Sequence, residues 1–528
     1  MAGGRTGRSR RGGRTGAQAP GAETTRLTVT SEGREELAAG LAAAGPVAGV
    51  LSLLAESDVD SRADLPWAYK TNLALLQAAH DAGLAAPVWY VTRNAVSTGP
   101  GDAPPEPAQA LLWGLGAIAA PESPENWGGL ADLPADAGEA HWDRLADALG
   151  GTEREIAVRA SGRYARRLAR TTPPSEPPGG TPWTTTGTVL VTGGTGALGK
   201  HLARSLAGRG VRHLLLVGRR GADAPGAAEL RDRLAALGTE VTFAAADVGD
   251  RAALRRVLAE IPADRPLTAV FHAAAVLDDG VITELTPGRA ERVLRVKAGG
   301  ARHLDELTRD LGLTAFVLFS SLAGVCGVPG QANYAPGNAY LDALAARRHA
   351  EGRPATSIAW GHWAGAGIAG SDATRALARH GLRGMSPETA ITAVGRALDR
   401  GDVNVVVADV DWATLFATRP RALVSELPGA HPNTPQAVAE EDLATRLAGL
   451  GGADRHRTVL RLVRAEVAAV QGRPRPTPSI PGPTSATRAS TRSPRSNCAT
   501  GSAPRRACRC RRPSCTTTRP PRRSPPTC

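Results

Sequence analysis

Apolar residues along this chain fall into short runs that end in turn signals, alternating with stretches of helical spacing. Val47–Leu54 reads as a buried strand, Thr71–His80 as a helix and Pro87–Arg93 as a second strand. Further on, Thr188–Thr192, Val211–Val217, Val241–Ala246 and Phe316–Ser321 are strand-like, and Lys200–Gly208 is an amphipathic helix. Runs of this length between helical stretches predict crossover-connected parallel sheets. The pattern lapses four times. Residues 1–22 read as a disordered leader, and 171–184 and 429–440 as Pro-containing linkers. Residues 473–528 carry no apolar period. The expected domains are therefore 23–170, 185–428 and a helical start over 441–472. The fold class is α/β, with two Rossmann-like parallel-sheet subdomains and a disordered basic C-terminal tail.

The formal net charge is +13 over 528 residues. Between Arg473 and Cys528 there are 13 Arg and no Lys, Asp or Glu, so residues 1–472 sum to zero. A basic Pro/Ser/Thr-rich tail predicts disorder, and the folded part gives no electrostatic case for nucleic acid. Five of the six cysteines lie in that tail, and Cys326 lies in the folded part. Cys508, Cys510 and Cys515 lack the paired spacing of a zinc site, so no metal is expected. No apolar run reaches the ~18 residues of a membrane span, and no apolar segment follows the basic N-terminus. A cytoplasmic protein away from membranes is expected.

The strand Thr188–Thr192 runs into Gly193-Gly194-Thr195-Gly196-Ala197-Leu198-Gly199 and then a helix. Glycines at 194, 196 and 199 satisfy GxGxxG in the strand–turn–helix setting where backbone N–H groups meet a dinucleotide pyrophosphate. The next strand ends at Arg219 and Arg220 instead of an acidic residue. Guanidinium groups there suit the 2′-phosphate of NADPH; the alternative is a solvated charge pair at a strand end. Asp247, followed by Val248, ends the third strand and could accept from an adenine amino group; Asp250 suits a helix cap.

Carbonyl reduction needs a hydride donor, a proton donor and a contact that polarises the oxygen. Ser321 ends an apolar strand, and Tyr334 follows thirteen residues later in Asn333-Tyr334-Ala335-Pro336-Gly337-Asn338. A tyrosine hydroxyl ordinarily titrates near pH 10, so it needs a nearby cation to act as an acid. In most short-chain dehydrogenases a Lys stands four residues after the Tyr; here Asn338 does.

With Lys297 in Val293–Gly300, this set resembles the ketoreductase domains of modular polyketide synthases, in which that Lys and Asn exchange places. The resemblance covers roughly residues 25–470. It implies a cofactor-free structural subdomain before the catalytic one, supported by Trp89–Val96 and Ala108–Gly116. It also implies catalytic Lys297, Ser321, Tyr334 and Asn338, with Asn338 orienting Lys297 or a water. Ala273 and Ala274 in Phe271–Asp279 would border NADPH, Ala275 standing where the family has Gly. Ile358–Trp363 would border the nicotinamide, and Gly365–Gly370 would begin a lid. Leu277-Asp278-Asp279 matches the pattern associated with D (usually 3R) hydroxyl products; a turn with two solvated carboxylates is the simpler reading of the same residues. The implied partners are an acyl carrier protein bearing a phosphopantetheine-tethered β-ketoacyl group and the other domains of a multifunctional enzyme of antibiotic biosynthesis. A reductase of free small ketones and a catalytically silent scaffold are the alternatives.

Leu460–Val470 looks like the first helix of an acyl carrier domain, but no Asp-Ser-Leu attachment motif follows. Read one base earlier in high-GC codons, Ala489–Ser502 spells Gly-Phe-Asp-Ser-Leu-Thr-Ala-Val-Glu-Leu-Arg-Asn-Arg-Leu. The hypothesis is a frameshift between about Val470 and Thr477, which would account for the tail. Resequencing that DNA and finding no base to add or remove would leave only a true mutation or coincidence.

Overall fold

The computed structural model describes residues 23–29, 33–56, 63–171, 182–365, 374, 377–379, 381–416, 421–429, 451–452 and 454–460. The expected leader, most of the two linkers and all of the basic tail with Cys508, Cys510 and Cys515 lie outside the described residues. So do most of the lid segment and most of 441–472. The described residues fall within one compact unit, Met1–Pro474. Among them no helix is long and apolar enough to cross a membrane, and no cluster of metal-ligating side chains occurs.

The architecture is α/β with two Rossmann-like sheets. The first contains β1 (Val50–Ser52), β2 (Val88–Arg93), β3 (Trp127–Leu133), β4 (Glu155–Arg159) and β5 (Gly162–Ala165), in that spatial order. Strands β1–β4 pair in parallel, and β5 returns antiparallel. The predicted strand Val47–Leu54 is shorter in the structure. Its ladder begins where the Val50 N–H donates to the Pro87 carbonyl, and Pro87 has no N–H to extend the pairing. Helices α1 (Arg34–Ala43), α2 (Trp67–Asp81), α3 (Pro107–Glu122) and α4 (Glu139–Leu149) flank this sheet.

Strand order follows chain order here, so the sheet has no point at which its winding reverses. Open α/β sheets bind ligands at such a reversal. At the C-terminal ends of β3 and β4 a buried charge network stands instead. Arg159 donates to Asp132 at 2.8 Å and Asp102 at 2.9 Å, and Thr92 donates to Asp132 at 2.7 Å. Burial pushes the Asp132 carboxyl up to about 6 against the pull of Arg159.

The second sheet has seven parallel strands. They are β6 (Thr188–Thr192), β7 (His213–Gly218), β8 (Glu240–Ala245), β9 (Leu267–His272), β10 (Ala315–Ser321), β11 (Thr356–Trp360) and, beyond a two-residue β12 (Leu382–Arg383), β13 (Asn404–Val407). Their order is β8-β7-β6-β9-β10-β11-β13, so the winding reverses between β6 and β9. Apolar runs fill the centre because both faces are covered: β6 is buried along its length. Helices α5 (Ala197–Gly208), α6 (Ala227–Ala235), α7 (Arg251–Ala259), α8 (Pro287–Leu294), α9 (Gly300–Leu307), α10 (Leu322–Cys326) and α11 (Ala335–Ala350) follow. Asp250 caps α7, accepting from the Ala252 and Ala253 N–H groups.

Candidate active site

A cavity of about 940 Å³ opens at the reversal between β6 and β9. One wall is the turn after β6. Gly193 has φ +68°, a left-handed backbone that suits glycine, and donates its N–H to the Val217 carbonyl at 2.9 Å. A Cβ on Gly199 would stand 2.3 Å from the Gly193 carbonyl oxygen, so that position closes α5 onto the turn. Helix α5 begins at Ala197, three residues earlier than its periodicity indicates, and this brings its N-terminus to the cavity. Thr195, Gly196, Ala197, Leu198 and Gly199 line the space, and Gly194 backs onto Leu216 instead.

At the mouth, Arg219 and Arg220 follow β7, exposed and in no ion pair with a carboxylate among the described residues. Asp247 and Val248 also line it. Burial works against the Asp247 carboxylate. The Gly249 N–H at 2.9 Å and Arg295 at 2.8 Å nonetheless hold it below the usual carboxylate range. Ala273, Ala274 and Ala275 continue the lining toward the centre. A turn that glycine alone fits, a helix N-terminus and two free guanidiniums form a cradle that fits a phosphorylated dinucleotide.

Deeper in, Lys297, Ser321 and Tyr334 face the same space. Lys297 sits in a π-helical turn, Arg295–Gly299, between α8 and α9, and is 3% exposed. Its ammonium donates to Tyr334 Oη at 3.1 Å and to the Phe319 carbonyl at 3.0 Å. It forms no ion pair among the described residues, which leaves a buried positive charge directed at the phenol. Ser321 ends β10, and its Oγ accepts the Ala323 N–H at 3.3 Å, leaving the hydroxyl proton free to donate. Asn338 lies behind the cavity lining and is fully buried. It does not bond Lys297: its Nδ2 donates to the Tyr334 carbonyl at 2.8 Å, and its Oδ1 is buried without a partner.

Of the three expected substrate-guiding residues, Leu277 lines the cavity and the two carboxylates stand outside it. Arg292 and Arg289 grip Asp278 and hold its carboxyl below the usual range, so this carboxylate is anchored by two guanidiniums at the surface. Partial burial raises the Asp279 carboxyl, which accepts from Gln331 at 3.4 Å.

His272 escaped the sequence reading. It ends β9, 1% exposed, and burial lowers its imidazole to about 4. The Lys297 carbonyl, 3.0 Å from Nε2, can only accept, so Nε2 carries the proton. Nδ1 then accepts from the Thr192 hydroxyl at 2.8 Å, and that oxygen accepts the Ala274 N–H at 3.3 Å. One neutral ring thus ties the end of β6, the alanine wall and the turn carrying Lys297. The only signal was a polar ring ending an apolar strand. Trp360, Gly361, His362 and Trp363 also border the cavity, as the resemblance implies.

Similarity to known proteins agrees with this geometry. A family model described as "KR domain" matches residues 187–365. Another, described as "Polyketide synthase extender module SpnB, Rossmann fold domain", matches residues 13–168. Pikromycin polyketide synthase component PikAIII of Streptomyces venezuelae is 42% identical over 491 residues, which cover 86% of this chain and 31% of that protein. Polyketide synthase GfsA of Streptomyces halstedii is 46% identical over 447 residues, 81% of this chain and 6% of that protein. The chain therefore spans a minor part of the length of these relatives. A solved structure described as "Structure of A-type Ketoreductases from Modular Polyketide Synthase" is 45% identical with a TM-score of 0.75, covering 78% of this chain and 89% of that one. The chain belongs to the ketoreductases of modular polyketide synthases, oxidoreductases that reduce β-keto groups with a nicotinamide cofactor.

Proposed function

We propose that this chain uses NADPH to reduce a β-ketoacyl thioester, carried on the phosphopantetheine arm of an acyl carrier protein, to the D (3R) β-hydroxyacyl thioester. The observation that carries the chemistry is the buried Lys297 ammonium 3.1 Å from Tyr334 Oη, in a cavity continuous with the glycine turn and the two arginines.

The glycine turn and the N-terminus of α5 would hold the pyrophosphate, and Arg219 and Arg220 the 2′-phosphate. A nicotinamide held there would provide the hydride equivalent for the β-carbon. The Ser321 hydroxyl holds and polarises the ketone oxygen. Tyr334 gives that oxygen its proton, and Lys297 stabilises the phenolate left behind, where low polarity makes one charge worth more than it is in water. The unpartnered Asn338 Oδ1 can accept from a water that returns the proton to Tyr334. Leu277 guides the acyl arm from its side of the cavity. The D assignment rests on the Leu277-Asp278-Asp279 pattern. The solved relatives include structures described as A-type and as C2-type, so overall likeness does not choose the product.

The carrier and the other polyketide synthase domains are proposed as partners from the relatives' multidomain character. The test is NADPH oxidation with a carrier-bound β-ketoacyl thioester, followed by chiral separation of the hydroxy product. D product with faster turnover than on free ketones is expected. No turnover would favour a silent scaffold, and equal rates on free ketones would remove the carrier.

A further inference from the structure

The loop after β9 and the loop before α11 form one side of the cavity mouth, where Leu277 and Gln331 stand. They are tied to each other. The Gly280 N–H donates to the Gly330 carbonyl at 2.6 Å, and Gln331 Nε2 donates to Asp279 Oδ2 at 3.4 Å. Ties between two loops fix their relative position but not their position over Tyr334. A third element does that. Glu122, the last residue of α3 in the cofactor-free half, accepts the Ile282 N–H through Oε2 at 2.7 Å and the Gly330 N–H through Oε1 at 2.7 Å. Gln77 of α2 adds two bonds to the first loop, donating to the Ile282 and Leu285 carbonyls at 2.7 and 2.8 Å. Helix α3 also abuts the start of α11. One helix outside the catalytic sheet therefore registers both mouth loops against the segment that carries Tyr334.

We propose that Glu122 is a positioning residue for specificity: by bridging the two mouth loops it sets where the tethered acyl chain lies over Tyr334, and so how cleanly one face of the ketone is reduced. This rests on the functional reading above. Bonds from N–H groups to a carboxylate are of the stronger, charge-assisted kind. Losing the pair corresponds to about a tenfold effect on an interaction that depends on loop position.

The test compares Glu122→Gln and Glu122→Ala with the wild type on a 2-methyl-3-ketoacyl thioester. KM, kcat, NADPH affinity by fluorescence and the ratio of hydroxy epimers are measured. The isosteric Gln keeps the packing but sets amide hydrogens against one N–H. A rise in KM of about tenfold, a larger share of the minor epimer and unchanged NADPH affinity are expected for both. Parallel loss of kcat and NADPH affinity in Glu122→Gln would make the residue merely structural and overturn the assignment. Unchanged KM and epimer ratio, with an active wild type, would overturn it while leaving the function standing. A wild type without turnover would overturn both.

Discussion

Gly114 of α3 meets Ala335 of α11 backbone to backbone: a Cβ at Gly114 would stand 2.5 Å from the Ala335 carbonyl oxygen and 2.5 Å from Pro336 Cα. Glycine inside a helix costs about 0.5–1 kcal/mol relative to alanine, so its place here reflects the close approach. Crowding a packed contact costs about 1–3 kcal/mol, the larger of the two effects. Gly114→Ala should therefore lower stability to denaturant, and lower turnover as well, because the displaced helix begins one residue after Tyr334.

Arg219 and Arg220 should separate the two nicotinamide dinucleotides. Replacing both with Ala is expected to raise the KM for NADPH about tenfold or more, the scale of lost charge-assisted bonds to phosphate, and to leave that for NADH nearly unchanged. Equal effects on both cofactors in steady-state assays would assign the arginines to general solvation.

His272 makes stability depend on pH. Between pH 6.5 and about 4 the unfolded chain takes up a proton at this ring and the folded chain does not, so acid favours unfolding. The span corresponds to about 3 kcal/mol. Burial pushes Asp132 and Asp342 up to about 6, which acts in the opposite direction because the folded chain then holds the extra proton. Comparing the wild type with His272→Asn cancels those carboxyls. The wild type should lose stability relative to the variant as pH falls from 7 to 4, measured by chemical denaturation; parallel curves would contradict a buried neutral ring.

The sequence shows what depends on local pattern. The strand–glycine–helix unit at 188–208 was legible because apolar period, turn chemistry and helix start are adjacent. Ser321 and Tyr334 were legible because each lies at the end of a strand or the start of a helix. Lys297 needed the family resemblance, since nothing within its own turn points toward Tyr334. Contacts between distant segments were not legible. His272 reaches Lys297 and Thr192 across 25 and 80 residues, and Glu122 reaches Gly330 across 208. Asn338 was expected to orient Lys297 or a water, but its Nδ2 bonds the Tyr334 carbonyl one turn back, a matter of side-chain direction that the sequence does not carry. The absence of a reversal in the first sheet also appears only once strand order is known.

Tyr334, with Lys297 3.1 Å away, is proposed to protonate the ketone. Tyr334→Phe removes the hydroxyl and keeps the ring. General acid catalysis contributes about 10²–10⁴-fold, so kcat for NADPH-dependent reduction of a β-ketoacyl thioester should fall by that factor while NADPH still binds. Full turnover in Tyr334→Phe would show that another group supplies the proton.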